Sequence, residues 1–170
     1  MKWVLLIVGG LVVLVGLAAL IGAMLPLRHH GTKKARYRVS PEAMYAVLAG
    51  PPDWRTGVKN FESLPDEGGR KRWWEEDTHG QKITFELVEE EPPKKLVVRI
   101  ADRGLPFGGA WTFDIAPDGN GSVLRVSEDG EIYNVIFRFM ARFIFGYTKS
   151  LETYLKDLGA KFGQAVNIEE

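Results

Sequence analysis

The chain has 170 residues, with 22 basic and 22 acidic side chains and a formal net charge of zero. That balance excludes nucleic-acid binding by bulk charge, which needs a basic excess. The absence of cysteine excludes disulfides, thiolate nucleophiles, cysteine metal sites and a lipid-bearing cysteine, while the length allows one ordinary domain plus an appendage.

Trp3 to Leu27 carries no charged residue. About 20 apolar residues suffice to cross a bilayer core as a helix. The competing reading is a cleaved secretory signal, whose apolar core is usually about 7–15 residues and ends at a small-residue cleavage site. Here the run is longer, and bulky Met24 and Leu25 precede Pro26, which favours a retained anchor. Before the span stand only Lys2 and the amino terminus. After it come Arg28, Lys33, Lys34, Arg36 and Arg38, with no acid until Glu42. The basic side stays inside, so the expected product is a single-pass membrane protein whose domain faces the cytoplasm. Ala18 with Gly22, and Ala19 with Ala23, have the small-xxx-small spacing that lets helices approach closely. The expected division is an anchor with its basic flank over residues 1–30, His29 and His30 included, and a domain over residues 31–170.

The domain opens with a strand over Thr32–Val39. Ser40-Pro41-Glu42 then starts a short helix, with serine as cap and proline in the first turn. Gly50-Pro51-Pro52 ends it, and Asp53-Trp54-Arg55 opens a second short helical turn. From Val58 the period switches to two, and six strands fit between turn signals: Val58–Leu64, Arg70–Asp77, Gln81–Glu89, Lys95–Ala101, Gly109–Ala116 and Ser122–Tyr133. Short connections imply an antiparallel meander, and the alternation implies one buried and one wet face. Inward positions include Phe85, Val98, Trp111 and Phe113. Trp73 and Trp74 are neighbours, so at most one points in.

Asn134 to Phe162 reads as one long helix. Ile136, Met140, Phe143, Tyr147, Leu151, Tyr154 and Leu158 fall on one stripe, and Phe145 points about 180° away among arginines. Asn134 suits the N-cap and Gly163 the left-handed position after the end. This helix is the element large enough to cover the buried face of the sheet.

The order of strand, two short helices, six strands and long helix is similar to the helix-grip fold of the START/pollen-allergen superfamily, also called SRPBCC or polyketide cyclase/dehydrase-like. Val39-Ser40-Pro41-Glu42-Ala43-Met44-Tyr45-Ala46-Val47-Leu48 resembles that family's opening motif. Pro52-Asp53-Trp54-Arg55 resembles its proline–tryptophan pair, and Gly108-Gly109-Ala110-Trp111-Thr112-Phe113 resembles one of its later strands. The resemblance covers residues 35–163. It implies an α+β fold in which a curved seven-stranded antiparallel sheet wraps a long C-terminal helix and encloses an apolar cavity for lipids, sterols or polyketide-like ligands. It implies no catalytic set, because the family shares none.

The expected ligand-binding residues are Trp54, Phe85, Val98, Trp111, Phe113, Met140, Phe143 and Tyr147, lining a pocket if the core is not solid. No catalytic, cofactor or metal residue is expected. Glu75-Glu76-Asp77 and Glu89-Glu90-Glu91 read as solvated charge runs. The leading function is a membrane-tethered, non-enzymatic domain that binds a hydrophobic small molecule or lipid. A cyclase- or dehydratase-like enzyme is the alternative, and would need polar groups such as Arg99 or Glu86 turned inward. An adaptor with a filled pocket is the third reading.

Overall fold

The computed structural model describes residues 1–170. Helix α1 spans Lys2–Met24, and the domain that follows is built on one antiparallel sheet. Its strands are β1 Arg28–Tyr37, β2 Val58–Glu67, β3 Arg70–Asp77, β4 Lys82–Glu91, β5 Lys95–Ile100, β6 Phe107–Asp118, β7 Gly121–Ile132 and β8 Ile168–Glu169. They lie in the order β2-β3-β4-β5-β6-β7-β1-β8. The meander is thus as expected, with β1 closing it beside β7 and a two-residue β8 added at the edge. Helix α2 covers Pro41–Leu48. The second short helix expected at Asp53–Arg55 is only a turn, closed by Arg55 N–H donating to the Pro52 carbonyl at 3.0 Å.

Strand β1 begins at Arg28, not Thr32, so His29 and His30 lie in the sheet. Its basic residues face acids across the ladder. Arg28 pairs with Glu131 at 2.9 Å and Arg36 with Asp118 at 2.8 Å. The four residues missed, Arg28-His29-His30-Gly31, follow an apolar run and show no apolar–polar alternation that would mark a strand.

The final helix is interrupted. Helix α3 runs Val135–Met140, a π-helical turn follows over Ala141–Phe145, and helix α4 spans Lys149–Lys161. Between them Gly146 takes φ 77°, a backbone conformation that L side chains rarely adopt. A π turn bonds i to i+5 and so changes the angle per residue. A stripe extrapolated at 100° per residue therefore fails across it. The caps are as expected. Asn134 Oδ1 accepts from the N–H groups of Ile136 and Phe137 at 2.9 and 3.1 Å. At the other end, Gln164 N–H donates to Gly159 and Gly163 N–H to Ala160, at 2.9 and 3.0 Å, which is a Schellman closure. Asn134→Ala is expected to lower stability by about 1 kcal/mol, read from denaturant titrations of the detergent-solubilised chain.

The solid core occupies one half of the sheet. Helix α4 lies across β1 and β7, and α2 across β6 and β7. Ala35, Leu124 and Val126 meet Met44, Leu151, Leu155 and Leu158 there, all fully buried. Tyr37 donates its hydroxyl to the Leu155 carbonyl at 2.9 Å, which ties α4 to β1. Strands β3, β4 and β5 extend past this packed half, and their inward faces are left over open space.

Helix α1 is long and apolar enough to cross a membrane, and most of its surface is exposed. The exception is its last two turns. Gly22 is buried against α3, where a Cβ would lie 1.9 Å from the Val135 carbonyl oxygen. Ala18 and Ala19 are half-buried on the same side. Arg138 of α3 donates to the Leu25 carbonyl at 3.0 Å, placing a cation at the negative end of α1. The small-residue spacing therefore serves a contact within the chain.

Candidate functional site

A cavity of about 1030 Å³ lies between the β3–β6 face of the sheet, the α2–β2 loop and the final helical segments. Alternation builds its wall. Ile83, Phe85 and Leu87 of β4 line it, as do Leu96, Val98 and Ile100 of β5 and Trp111 and Phe113 of β6. The intervening polar residues face outward. Glu86 and Arg99 are among them, and with Arg70 they form an ion-paired cluster on the outer face. The inward turn that an enzyme was expected to need at Glu86 or Arg99 is therefore absent.

Polar groups do enter the cavity, from other positions. The turn after α2 presents Trp54 and Arg55. Arg55 pairs with Glu75 at 2.7 Å, and Trp73 Nε1 donates to the same carboxylate at 3.1 Å. Glu75 is 8% exposed, so it is no part of a solvated run. The Arg55 guanidinium carbon lies 5.2 Å from the Tyr154 ring centroid, and the rings of Trp54, Trp111 and Phe113 surround the same tyrosine at 5.1, 5.5 and 5.2 Å. A second cluster sits on β1 and β7. His29 stacks on Tyr147 at 4.5 Å, its Nε2 is 3.7 Å from Glu128 Oε1, and Ser150 donates to Glu128 at 3.2 Å. Trp54 Nε1 and His29 Nδ1 are buried with no protein partner. Buried polar atoms are normally hydrogen-bonded; these two are covered by neighbouring protein atoms and stay unpaired inside the wall. No group of three or more His, Asp or Glu side chains is gathered to hold a metal ion.

Burial pushes the hydroxyl of Tyr154 well above its usual range, with the Arg55 charge opposing and the Glu75 charge adding to the rise. Burial likewise raises Tyr37, with Tyr154 adding to the effect. Both therefore remain neutral donors in the fold at pH 7. An unfolded tyrosine ionises near pH 10. A raised folded value means that the stability these hydroxyls contribute is complete below about pH 10 and is lost as the pH rises beyond it. Thermal melts between pH 8 and pH 12 are expected to show this loss, and Tyr154→Phe is expected to reduce its slope.

The structure places seven of the eight expected ligand-binding residues on the cavity: Trp54, Phe85, Val98, Trp111, Phe113, Met140 and Tyr147. Phe143 is elsewhere. It is 59% exposed, against Phe139 at 5.1 Å, while Phe145 lines the cavity in its place. The π turn rotates these two rings relative to an unbroken helix. Trp73 points in and stacks on Phe85 at 5.9 Å; Trp74 points out, beneath Lys82 at 3.8 Å. Arg55, Glu75, His29 and Glu128 escaped sequence reasoning. The parity of β3 was a usable signal for one of them, because Glu75 must share a face with Trp73.

The family model described as polyketide cyclase / dehydrase and lipid transport matches residues 28–162. No curated protein sequence matches the chain. Several solved structures share the fold. A conserved protein from Geobacillus kaustophilus superposes with a TM-score of 0.66 at 15% identity, over 84% of this chain and 100% of that one. The di-domain ARO/CYC StfQ from the steffimycin biosynthetic pathway gives 0.62 at 14% identity, over 79% of this chain and 50% of StfQ. Truncated norcoclaurine synthase from Thalictrum flavum gives 0.61 at 14% identity, over 79% and 92%. At such identities the likeness speaks for the fold alone. With its matched region starting at the first residue of β1 and ending just beyond α4, the chain belongs to the polyketide cyclase/dehydrase and lipid transport family.

Proposed function

We propose that this protein is a membrane-tethered module that binds a hydrophobic small molecule or lipid in the cavity beneath β3–β6. The observation that carries the reading is the open volume of about 1030 Å³ walled by alternate apolar residues of three strands. Small-molecule sites typically occupy about 300–1,000 Å³ and combine apolar walls with a few placed polar groups. The side chains of Arg55, Glu75 and Glu128 in the wall, with the neutral Tyr154 hydroxyl, are such groups. Helix α1 would be the tether, and the lysine and arginine excess after it favours the cytoplasmic side for the domain. Holding the cavity at a bilayer raises the local concentration of any lipid-soluble ligand. The open volume speaks against an adaptor whose pocket is filled by its own side chains.

A second reading is favoured by the His29–Glu128 pair in the wall, with the Arg55 guanidinium as a fixed cation in the same wall. Paired acid and base groups beside an apolar guest are what a cyclase- or dehydratase-like reaction would use. The test of binding is photolabelling of the full chain in membranes with a diazirine-bearing long-chain fatty acid. Adducts on β3 and β6, at peptides containing Trp73 and Trp111, are expected. Adducts confined to α1 would contradict binding in the cavity.

A further inference from the structure

Helix α3 and the π turn carry an apolar surface that nothing in the domain covers. Phe137, Phe143, Ile144 and Phe145 are all exposed. The same segment forms one side of the cavity through Phe137, Met140 and Phe145. It is also the segment on which α1 is seated. Gly22 is buried against Val135, and Arg138 holds the Leu25 carbonyl at 3.0 Å.

These contacts fix a depth. A helix of 23 residues is about 35 Å long at 1.5 Å per residue, and a bilayer core is about 30 Å thick. If α1 spans, Gly22 lies within a few ångströms of the hydrocarbon boundary. Whatever packs on Gly22 lies there too. Interfacial helices bury their apolar face about 5–10 Å into the headgroup–acyl boundary, and the exposed phenylalanines suit that depth. Charge agrees: between Val135 and Leu151 the only charged residues are Arg138, Arg142 and Lys149, and no acid occurs until Glu152. Arg138 is held by the Leu25 and Tyr133 carbonyls, while exposed Arg142 and Lys149 at this level are free to reach lipid phosphates. At 11 residues, Val135–Phe145 is too short to span by itself.

We propose that α3 and the π turn lie in the headgroup–acyl boundary of the bilayer that α1 crosses, so that the cavity opens directly onto the membrane past Phe137 and Phe145. The surface is a lipid-docking face, and it gives the guest a path that avoids water. The inference rests on the tethered-binding reading, and the experiment separates the two.

The chain has no cysteine, so each introduced one is unique. Phe143→Cys, Ile144→Cys, Leu14→Cys and Asn120→Cys variants of the full chain are spin-labelled in phosphatidylcholine–phosphatidylglycerol nanodiscs. Leu14 is mid-span in α1. Asn120 sits in the β6–β7 turn, at the opposite end of that hairpin from α3. Power saturation then compares oxygen with a water-soluble nickel chelate. Labels at positions 143 and 144 are expected to shift with position 14 toward high oxygen and low nickel accessibility, leaving position 120 aqueous. If positions 143 and 144 match position 120 while position 14 is in lipid, the docking inference is overturned and the tether stands. If position 14 is aqueous as well, both are overturned.

Discussion

An Arg55→Met variant is expected to lose about 2–3 kcal/mol of stability, and adding Glu75→Leu is expected to recover most of that loss. Arg55 is bonded at 2.7 Å to a carboxylate whose side chain is 10% exposed. Removing one partner of a buried ion pair typically costs about 3–5 kcal/mol, because the other charge is left desolvated and uncompensated. Arg55 is itself about a quarter exposed, so some water can reach the stranded carboxylate and the expected loss falls at or below the bottom of that range. Replacing both partners removes the stranded charge. What remains is the lost acceptor of Trp73 Nε1, about 1 kcal/mol. Methionine also keeps an unbranched stem against Tyr154, so the comparison isolates the charge. Denaturant titration of the detergent-solubilised single and double variants reads both values. Equal destabilisation of the two would show that the pair contributes nothing specific.

The second large effect concerns the seat of α1. Gly22→Val would place a Cβ 1.9 Å from the Val135 carbonyl oxygen. Real contacts are never so short, and the neighbouring atom is backbone, so the two helices must separate. Overpacking of this kind costs about 1–3 kcal/mol. Helix α3 has six residues, too few to persist without tertiary support. Its amides are therefore expected to exchange with deuterium about tenfold faster in the variant, since about 1.4 kcal/mol is tenfold in an opening equilibrium. Amides of β6 and β7 are expected to be unchanged. Unaltered protection across α3 would mean that α1 is not seated there.

Much of the cavity wall is legible in the sequence. Strict alternation in β4, β5 and β6 assigns Phe85, Val98, Trp111 and Phe113 to one face, because a strand offers no other choice. Asn134, Ser40 and Gly163 mark helix ends through local backbone chemistry that tertiary context left intact. The failures have specific causes. Gly146 interrupts the final helix, but a hydrophobic stripe continues on both sides of it and hides the break. The π turn then exchanges the roles of Phe143 and Phe145. His29 follows an apolar run and looks like a membrane flank, although it pairs with Gly130 in β1 and β7. Glu75 stands in an acidic run whose other members, Glu76 and Asp77, bond Asn60 and the backbone of the next turn. Beyond its shared face with Trp73, it is distinguished by burial beside Arg55, a partner that comes from the loop after α2, 20 residues earlier.

Native mass spectrometry of the full chain, released gently from nanodiscs, asks whether the space beneath β3–β6 holds a guest. A single apolar molecule retained at one copy per chain is expected, ejected at higher collision energy than annular lipid. Val98→Trp, which projects an indole into that space, is expected to reduce its occupancy about tenfold or more, an effect of about 1.4 kcal/mol. A wild-type chain that sheds all its lipid together and retains nothing, under conditions where the fold survives, would contradict a ligand-binding cavity.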